Sequence, residues 1–233
     1  MSSGDEAGLV GIAEKSLEYV REDTVVGLGT GRAATAFVRA LGARVAQGFR
    51  IRGVPTSDST GKLAMELGIP LVELADAGTL DVTLDGADEV SPELDLIKGY
   101  GGALVREKVV AASSRRRVML VGAEKLVDRL GSRGKLPVEI VPFAKPLCER
   151  ELEKIGCRPK RRETNGVPFV TDNHNWILDC EIAPIADPPA FETRILAIPG
   201  VVGTGLFLGM ANVVLVQDGD RVRVLERGGS TDR

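Results

Sequence analysis

The chain has 233 residues, a net charge of −3, 43% hydrophobic and 27% charged residues, and one histidine. This length holds one large or two small domains with an ample core. The charge leaves no global basic field to collect nucleic acid, no apolar run approaches the ~20 residues of a membrane span, and a lone His174 leaves no Ser-His-Asp triad, Cys-His pair or zinc site to assemble.

Met1–Gly8 is polar and acidic, unlike a secretion leader. Glu6–Val20 carries Leu9, Ile12, Ala13, Leu17 and Val20 at helical spacing. Thr24–Leu28 is a short β-branched run that predicts a buried strand. Ala33–Ala46 follows as a helix with Phe37, Leu41 and Val45 on one face. Arg50–Val54 reads as a second strand. Ser57 is placed to cap a helix running to Leu67, which Gly68 ends. Pro70–Leu74 and Leu80–Asp85 read as two more strands, and Leu94–Lys98 as another extended segment. Ala103–Ala112 predicts a helix and Val118–Val121 a buried strand, with Arg115–Arg117 a solvated helix end between them. Strands separated by helices of this length argue a parallel sheet covered on both faces.

Past residue 130 the texture changes. "GSRGKLP" reads as a link. It is followed by a strand at Val138–Val141, a helix at Pro146–Ile155, extended segments at Arg158–Arg162 and Trp176–Cys180, and a helix at Pro188–Ala197. This β-α-β-β-α-β order predicts a smaller α+β, ferredoxin-like domain. Cys148, Cys157 and Cys180 lack a CxxC pattern and fit reduced thiols in a cytoplasmic protein. His174 falls in a loop. Gly205–Leu208 and Asn212–Val216 are expected to return to the first sheet, and Gly228–Arg233 to be a disordered tail. The expected division is 1–130 with 207–233 as a Rossmann-like domain and 131–206 as the small one.

Four stretches carry chemistry. "GLGTGRAA" matches G-x-G-x-x-A from Gly29, and its glycines and following helix suit an anion. "PTSDSTGK" follows the second strand, where a dinucleotide reader would place an acid for the ribose. Its first hydroxyls, Thr56 and Ser57, suit a phosphate or small polyol instead. "TLDGADEV" sets Asp85, Asp88 and Glu89 at a strand end, readable as a divalent-metal site, a proton-transfer and sugar-hydroxyl site, or an Asx-rich turn. In "IKGYGGALVREK", glycines after Lys98 can aim amides at an oxyanion, and Glu107 sits one turn into the next helix.

These motifs occur in order with "LPVEIVPF" at 136–143 and "TDNHNWILD" at 171–179. Together they resemble the type A ribose-5-phosphate isomerases from about Leu17 to Val216. The resemblance implies interconversion of ribose 5-phosphate and ribulose 5-phosphate in the pentose phosphate pathway, without metal or other cofactor. It implies Glu107 as general base, with Asp85 and Asp88 lining the sugar site and assisting ring opening. Lys98, Gly99, Gly101 and Gly102 would stabilise the oxyanion, and Lys125 would reach the substrate. Gly29, Thr30, Gly31, Arg32, Thr56, Ser57, Asp58, Ser59 and Thr60 would bind the sugar phosphate. A homodimer or homotetramer is implied, with no nucleic-acid or membrane partner. Relatives read "GTGST" in the opening turn, whereas this chain has Arg32 and Ala33. They also often bring a lysine from the first helix, where Leu9 and Val10 stand here.

Aldose–ketose chemistry needs one base that takes and returns a proton, donors for an alternating oxyanion, and a group that opens the ring. Glu107, Lys98 with the glycine amides, and Asp85 match these needs. Two other readings compete: an NAD(P)-linked oxidoreductase, suggested by the glycine turn and opposed by the missing ribose acid, and a sugar-phosphate-sensing regulator on the same scaffold.

Overall fold

A computed structural model of the chain describes residues 9–228, so the polar leader and nearly all of the tail lie outside the described residues. In chain order the elements are α1 (Val10–Ser16), β1 (Thr24–Leu28), α2 (Arg32–Ala46), β2 (Ile51–Pro55), α3 (Asp58–Glu66), α4 (Leu74–Ala77), β3 (Leu80–Gly86), β4 (Glu89–Val90) and β5 (Leu96–Ile97). Then come α5 (Leu104–Ala112), β6 (Ser114–Gly122), β7 (Lys135–Ile140), α6 (Lys145–Lys154), β8 (Arg158–Arg161), β9 (Glu163–Thr164), β10 (Val167–Pro168) and β11 (Trp176–Glu181). The chain ends with α7 (Pro188–Leu196), β12 (Val201–Thr204), β13 (Leu206–Phe207), β14 (Val213–Asp218) and β15 (Arg221–Glu226). No helix among the described residues is long and apolar enough to cross a membrane.

The chain divides into two units. The first holds the described residues up to Ala87, Arg106–Lys125, and those from Met210 onward. Its six-stranded sheet has the order β2-β1-β3-β6-β14-β15, parallel except for the last pair. One face is covered by Ile12 of α1, Phe37, Val38 and Leu41 of α2, and Ala64 of α3, packed on Val26, Leu28, Leu84 and Leu120. Burying each of the larger side chains contributes about 1.5–3 kcal/mol. On the opposite side, Ala77 of α4 and Val110 of α5 pack with Val25 and Val54. Side chains alternate across a strand, so Val25 and Val26 serve different layers. This is the expected α/β architecture with helices on both faces.

The second unit comprises Asp88–Val105 and Leu126–Gly209. Its four-stranded antiparallel sheet has the order β12-β7-β11-β8. Counted within the unit's β-α-β-β-α-β run, that is strand order 4-1-3-2, the ferredoxin-like arrangement. Cys148 and Leu152 of α6 and Ile195 of α7 cover one face, against Leu136, Val138, Leu178 and Cys180. A three-stranded sheet, β13-β5-β4, lies in the same unit.

Several expectations need correction. Residues 88–105, 126–130 and 207–209 belong to the second unit, because β4 and β5 pair with β13 and Val127 N–H donates to Val90 O. For the same reason β13 does not return to the central sheet; β14 does. Pro70–Leu74 is not a strand. Leu71 makes a single bridge to Gly53, and the chain then coils into α4. Arg115–Arg117 lie inside β6, where Arg116 stacks on Tyr19 and Arg117 donates to Met210 O and Ser114 O. "GSRGKLP" is no loose link, since the amides of Gly131 and Arg133 hold the buried Glu89 carboxylate at 2.6 and 2.8 Å.

Candidate active site

In the first unit the strand order reverses direction at β1, whose neighbours are β2 and β3. Ligand crevices in open α/β sheets lie at such a point, outside the carboxyl ends of the strands. Thr30, Thr56 and Asp85 all stand there, just past or at the ends of β1, β2 and β3. Asp85 is buried, and its Oδ1 accepts the amides of Thr30 at 3.0 Å and Gly86 at 2.7 Å. Two amide donors fix the direction of this oxygen. Gly29 permits this approach: a Cβ there would lie 2.4 Å from Asp85 Oδ1.

Thr30 Oγ1 sits among the hydroxyls of Thr56 at 2.7 Å, Ser57 at 2.9 Å and Thr60 at 3.2 Å. Thr56 also donates to Leu28 O, and Thr60 to Gly29 O. The cluster therefore fastens the ends of β1 and β2 to the start of α3. Ser57 caps α3 as expected, its Oγ accepting from Thr60 N–H at 3.1 Å. Ser59 and Asp58 are exposed, and Asp58 pairs with Arg106 at 2.7 Å. Gly31 caps α2 with φ 102°, a conformation that favours glycine. Gly31 has no side chain to cap α2, so the positive end of the helix dipole is not offset by an N-cap oxygen, and Arg32 at its first position is exposed. Glu107 stands in the first turn of α5 and is 4% exposed. Val110, one turn later, would meet a Cβ at Gly27 of β1, which places the Glu107 end of the helix toward the strands' carboxyl edge. Lys125 is half-buried in the short turn after β6, at that same edge.

The second unit carries the glycine loop. Lys98 is buried, its amide donates to Gly205 O at 2.8 Å, and its ammonium lies 5.5 Å from the Phe207 ring centre. The loop turns tightly, with Gly102 N–H on Gly99 O at 3.1 Å. Asp88 Oδ2 accepts Tyr100 N–H at 2.9 Å. The Arg162 guanidinium donates to both Gly99 O and Tyr100 O at 3.1 Å, and grips Asp179 through its other nitrogens. Tyr100 Oη donates to Lys135 O, and burial pushes its phenol well above the usual range. Gly102 has φ 93°, and a Cβ there would meet the Phe169 ring at 2.4 Å.

Residues 52–221 match the family described as ribose 5-phosphate isomerase A (phosphoriboisomerase A). The chain belongs to this family. It is 52% identical over 217 residues to ribose-5-phosphate isomerase A of Roseiflexus castenholzii, covering 92% of this chain and 93% of that one. It is 49% identical over 214 residues to the Gloeobacter violaceus protein of the same name, covering 91% and 93%. Among solved structures, ribose 5-phosphate isomerase A from Methanocaldococcus jannaschii aligns with a TM-score of 0.90 at 37% identity, covering 95% of this chain and 99% of that one. A D-ribose-5-phosphate isomerase in complex with phospho-erythronic acid aligns with a TM-score of 0.91 at 36% identity, covering 97% and 100%.

For an isomerase of this family, the first unit gathers Gly29, Thr30, Gly31, Arg32, Thr56, Ser57, Thr60, Asp85 and Lys125 at one sheet edge, and it also holds the buried Glu107 in the first turn of α5. Asp58 and Ser59 lie there too, but exposed. Asp88, Lys98, Gly99 and Gly102 belong to the second unit, with Gly101 exposed between them. The three acids of "DGADEV" separate. Glu89 takes two backbone amides inside the second unit, which leaves its carboxylate structural. Sequence reasoning missed Glu139. It is fully buried, and its Oε1 accepts from Thr171 Oγ1 at 3.1 Å, Asn173 Nδ2 at 3.2 Å and Asn175 Nδ2 at 2.9 Å. The "TDNHN" loop is thus the collar of a buried carboxylate, with His174 at φ 61° making its turn. A glutamate inside the strand pattern "LPVEIV" was the available signal, since a buried charge needs donors.

Proposed function

We propose that this chain interconverts ribose 5-phosphate and ribulose 5-phosphate through an enediolate, with Glu107 as the base. Asp85, oriented by two amides, takes the anomeric hydroxyl proton as the furanose opens and returns it to the ring oxygen. Glu107 then removes the C2 proton. The electron pair forms the C1–C2 double bond, and negative charge moves onto the former carbonyl oxygen. Lys98 and the glycine-loop amides donate to that oxygen. The C2 hydroxyl proton passes to O1 and the proton on Glu107 returns to C1, so the C2 oxygen becomes the carbonyl of the ketose. The sum is balanced without a redox partner. The phosphate is assigned to the first amides of α2 with Thr30 and Arg32, since most other hydroxyls of the "TSDST" stretch are spent on one another and on carbonyls. The chain is further proposed to act as a homodimer or homotetramer.

The observation that carries this reading is the buried Asp85, held by the Thr30 amide just before α2, with a second buried carboxyl, Glu107, in the same unit of a chain of this family. Purified protein incubated with ribose 5-phosphate in EDTA, without nucleotide, should form ketose and exchange one carbon-bound proton with D2O. A strict need for added NAD(P) would overturn the reading and favour an oxidoreductase.

A further inference from the structure

Arg162 has no part in the chemistry just described, yet its side chain donates to two carbonyls of the glycine loop. Its Nη1 donates to Gly99 O and Tyr100 O, both at 3.1 Å. Nε and Nη2 form a two-pronged pair with Asp179 at 2.9 and 2.5 Å. Only 11% of the Arg162 side chain is accessible, against 21% for Asp179, so the pair is poorly screened. Arg162 also lies over the Phe169 ring that closes on Gly102.

A trans peptide points its carbonyl and its N–H in opposite directions. Holding Gly99 O therefore aims the Tyr100 N–H away from Arg162, and that N–H is the one Asp88 accepts. Holding Tyr100 O aims the Gly101 N–H the same way. A glycine-rich loop has many accessible backbone states, so an unheld loop would present these donors in many directions. We infer that Arg162, oriented by Asp179, is a positioning residue that locks two peptide planes of the 98–102 loop and thereby fixes Asp88 and the Gly101 amide for catalysis. This rests on the isomerase reading above, in which the loop serves the developing oxyanion. Lysine cannot replace the arginine fully, because one ammonium lacks the planar fork that holds Asp179 and two carbonyls together.

The test compares wild type, Arg162→Ala, Arg162→Lys and Asp179→Asn. Each is assayed for isomerisation, for inhibition by phospho-erythronic acid, whose carboxylate mimics the charged enediolate, and for inhibition by inorganic phosphate. Arg162→Ala should lower kcat at least about tenfold with KM changed less than about threefold. Phospho-erythronic acid should bind about tenfold more weakly, and phosphate as before. Added guanidinium ion should restore part of the kcat of Arg162→Ala, whereas a fold defect would not respond. Arg162→Lys and Asp179→Asn should fall between, and they carry the test if Arg162→Ala does not fold. Wild-type kcat and inhibitor binding in the folded variants, with Glu107→Gln inactive, would overturn the clamp alone. Full activity of Glu107→Gln would overturn the catalytic reading beneath it.

Discussion

Gly29→Ala tests the geometry of the site with the smallest possible change. The new Cβ would lie 2.4 Å from Asp85 Oδ1 and 2.5 Å from its Cα and Cγ. Ordinary contact begins near 3.4 Å, so the two must part by about 1 Å. One of the three atoms is backbone, and no rotamer of Asp85 relieves it. Strands β1 and β3 must spread where Gly29 N–H meets Leu84 O at 2.9 Å and Thr30 N–H meets Asp85 at 3.0 Å. Overpacking of this kind costs about 1–3 kcal/mol, and a buried donor left unsatisfied about 1–3 kcal/mol more. The sum, about 2–6 kcal/mol, corresponds to a Tm lowered by roughly 4–24 °C in a chain of this size. Displacing Asp85 by about 1 Å should also cut kcat roughly 10²-fold. Gly31→Ala is the control. It meets nothing within 4 Å, so only the strain of φ 102° remains, about 1–2 kcal/mol. Thermal melts and steady-state rates on ribose 5-phosphate decide the matter. A Gly29→Ala protein melting within about 2 °C of wild type with undiminished kcat would refute the argument that this contact sets the Asp85 position.

Glu107→Gln keeps the shape and removes the proton acceptor, so kcat should fall at least ~10²-fold with KM little changed; near-wild-type turnover would make Glu107 a packing residue. Arg32→Ala should raise KM for ribose 5-phosphate about tenfold, the equivalent of ~1.5 kcal/mol from a charged hydrogen bond, and leave the slow reaction of unphosphorylated ribose unchanged. Equal losses on both sugars would move the phosphate elsewhere. Tyr100 supplies a pH test. Its phenol is raised by burial first and by the Glu89 and Asp88 carboxylates next. The folded state therefore keeps the proton longer than the unfolded chain does. The resulting stability is full below pH ~10 and declines above it as the pH approaches the raised value. Tyr100→Phe should make Tm fall less steeply above pH ~10, and an unchanged slope would show that this phenol does not titrate in a buried setting.

Much of the fold is legible because its signals are local. Thr24–Leu28 matches β1 residue for residue, Ser57 caps α3, and Gly68 follows that helix with φ 71°. The failures have a common cause. Leu71 pairs through one bridge only, which no propensity distinguishes from a strand. Arg115–Arg117 carry charge on the exposed start of β6, where charge masks the strand pattern. The edge strand β15 alternates only weakly because it is half exposed, and it escaped notice. At the site, motifs in order name Asp85, Glu107 and the glycines as candidates, and Asp85 and Glu107 are both buried. No motif names Arg162. It meets Gly99 63 positions away and looks like any member of the basic run "RPKRR". Glu139 likewise finds its donors 32–36 positions further along the chain. What a side chain reaches across the fold leaves little local trace.

The hydroxyl cluster around Thr30 has a consequence beyond fastening strand ends. Thr30, Thr56, Ser57 and Thr60 each own one hydroxyl proton, and the carbonyls of Leu28 and Gly29 accept from Thr56 and Thr60. The Thr30 and Ser57 protons can rotate among neighbouring oxygens while every heavy atom stays in place. Such a group is a polarisable patch whose free protons can turn together toward a charge brought beside it. A phosphate monoester changes from one negative charge to nearly two around pH 6. A surface that answers by turning protons, with no side chain swinging, can meet both ionisation states with the same framework.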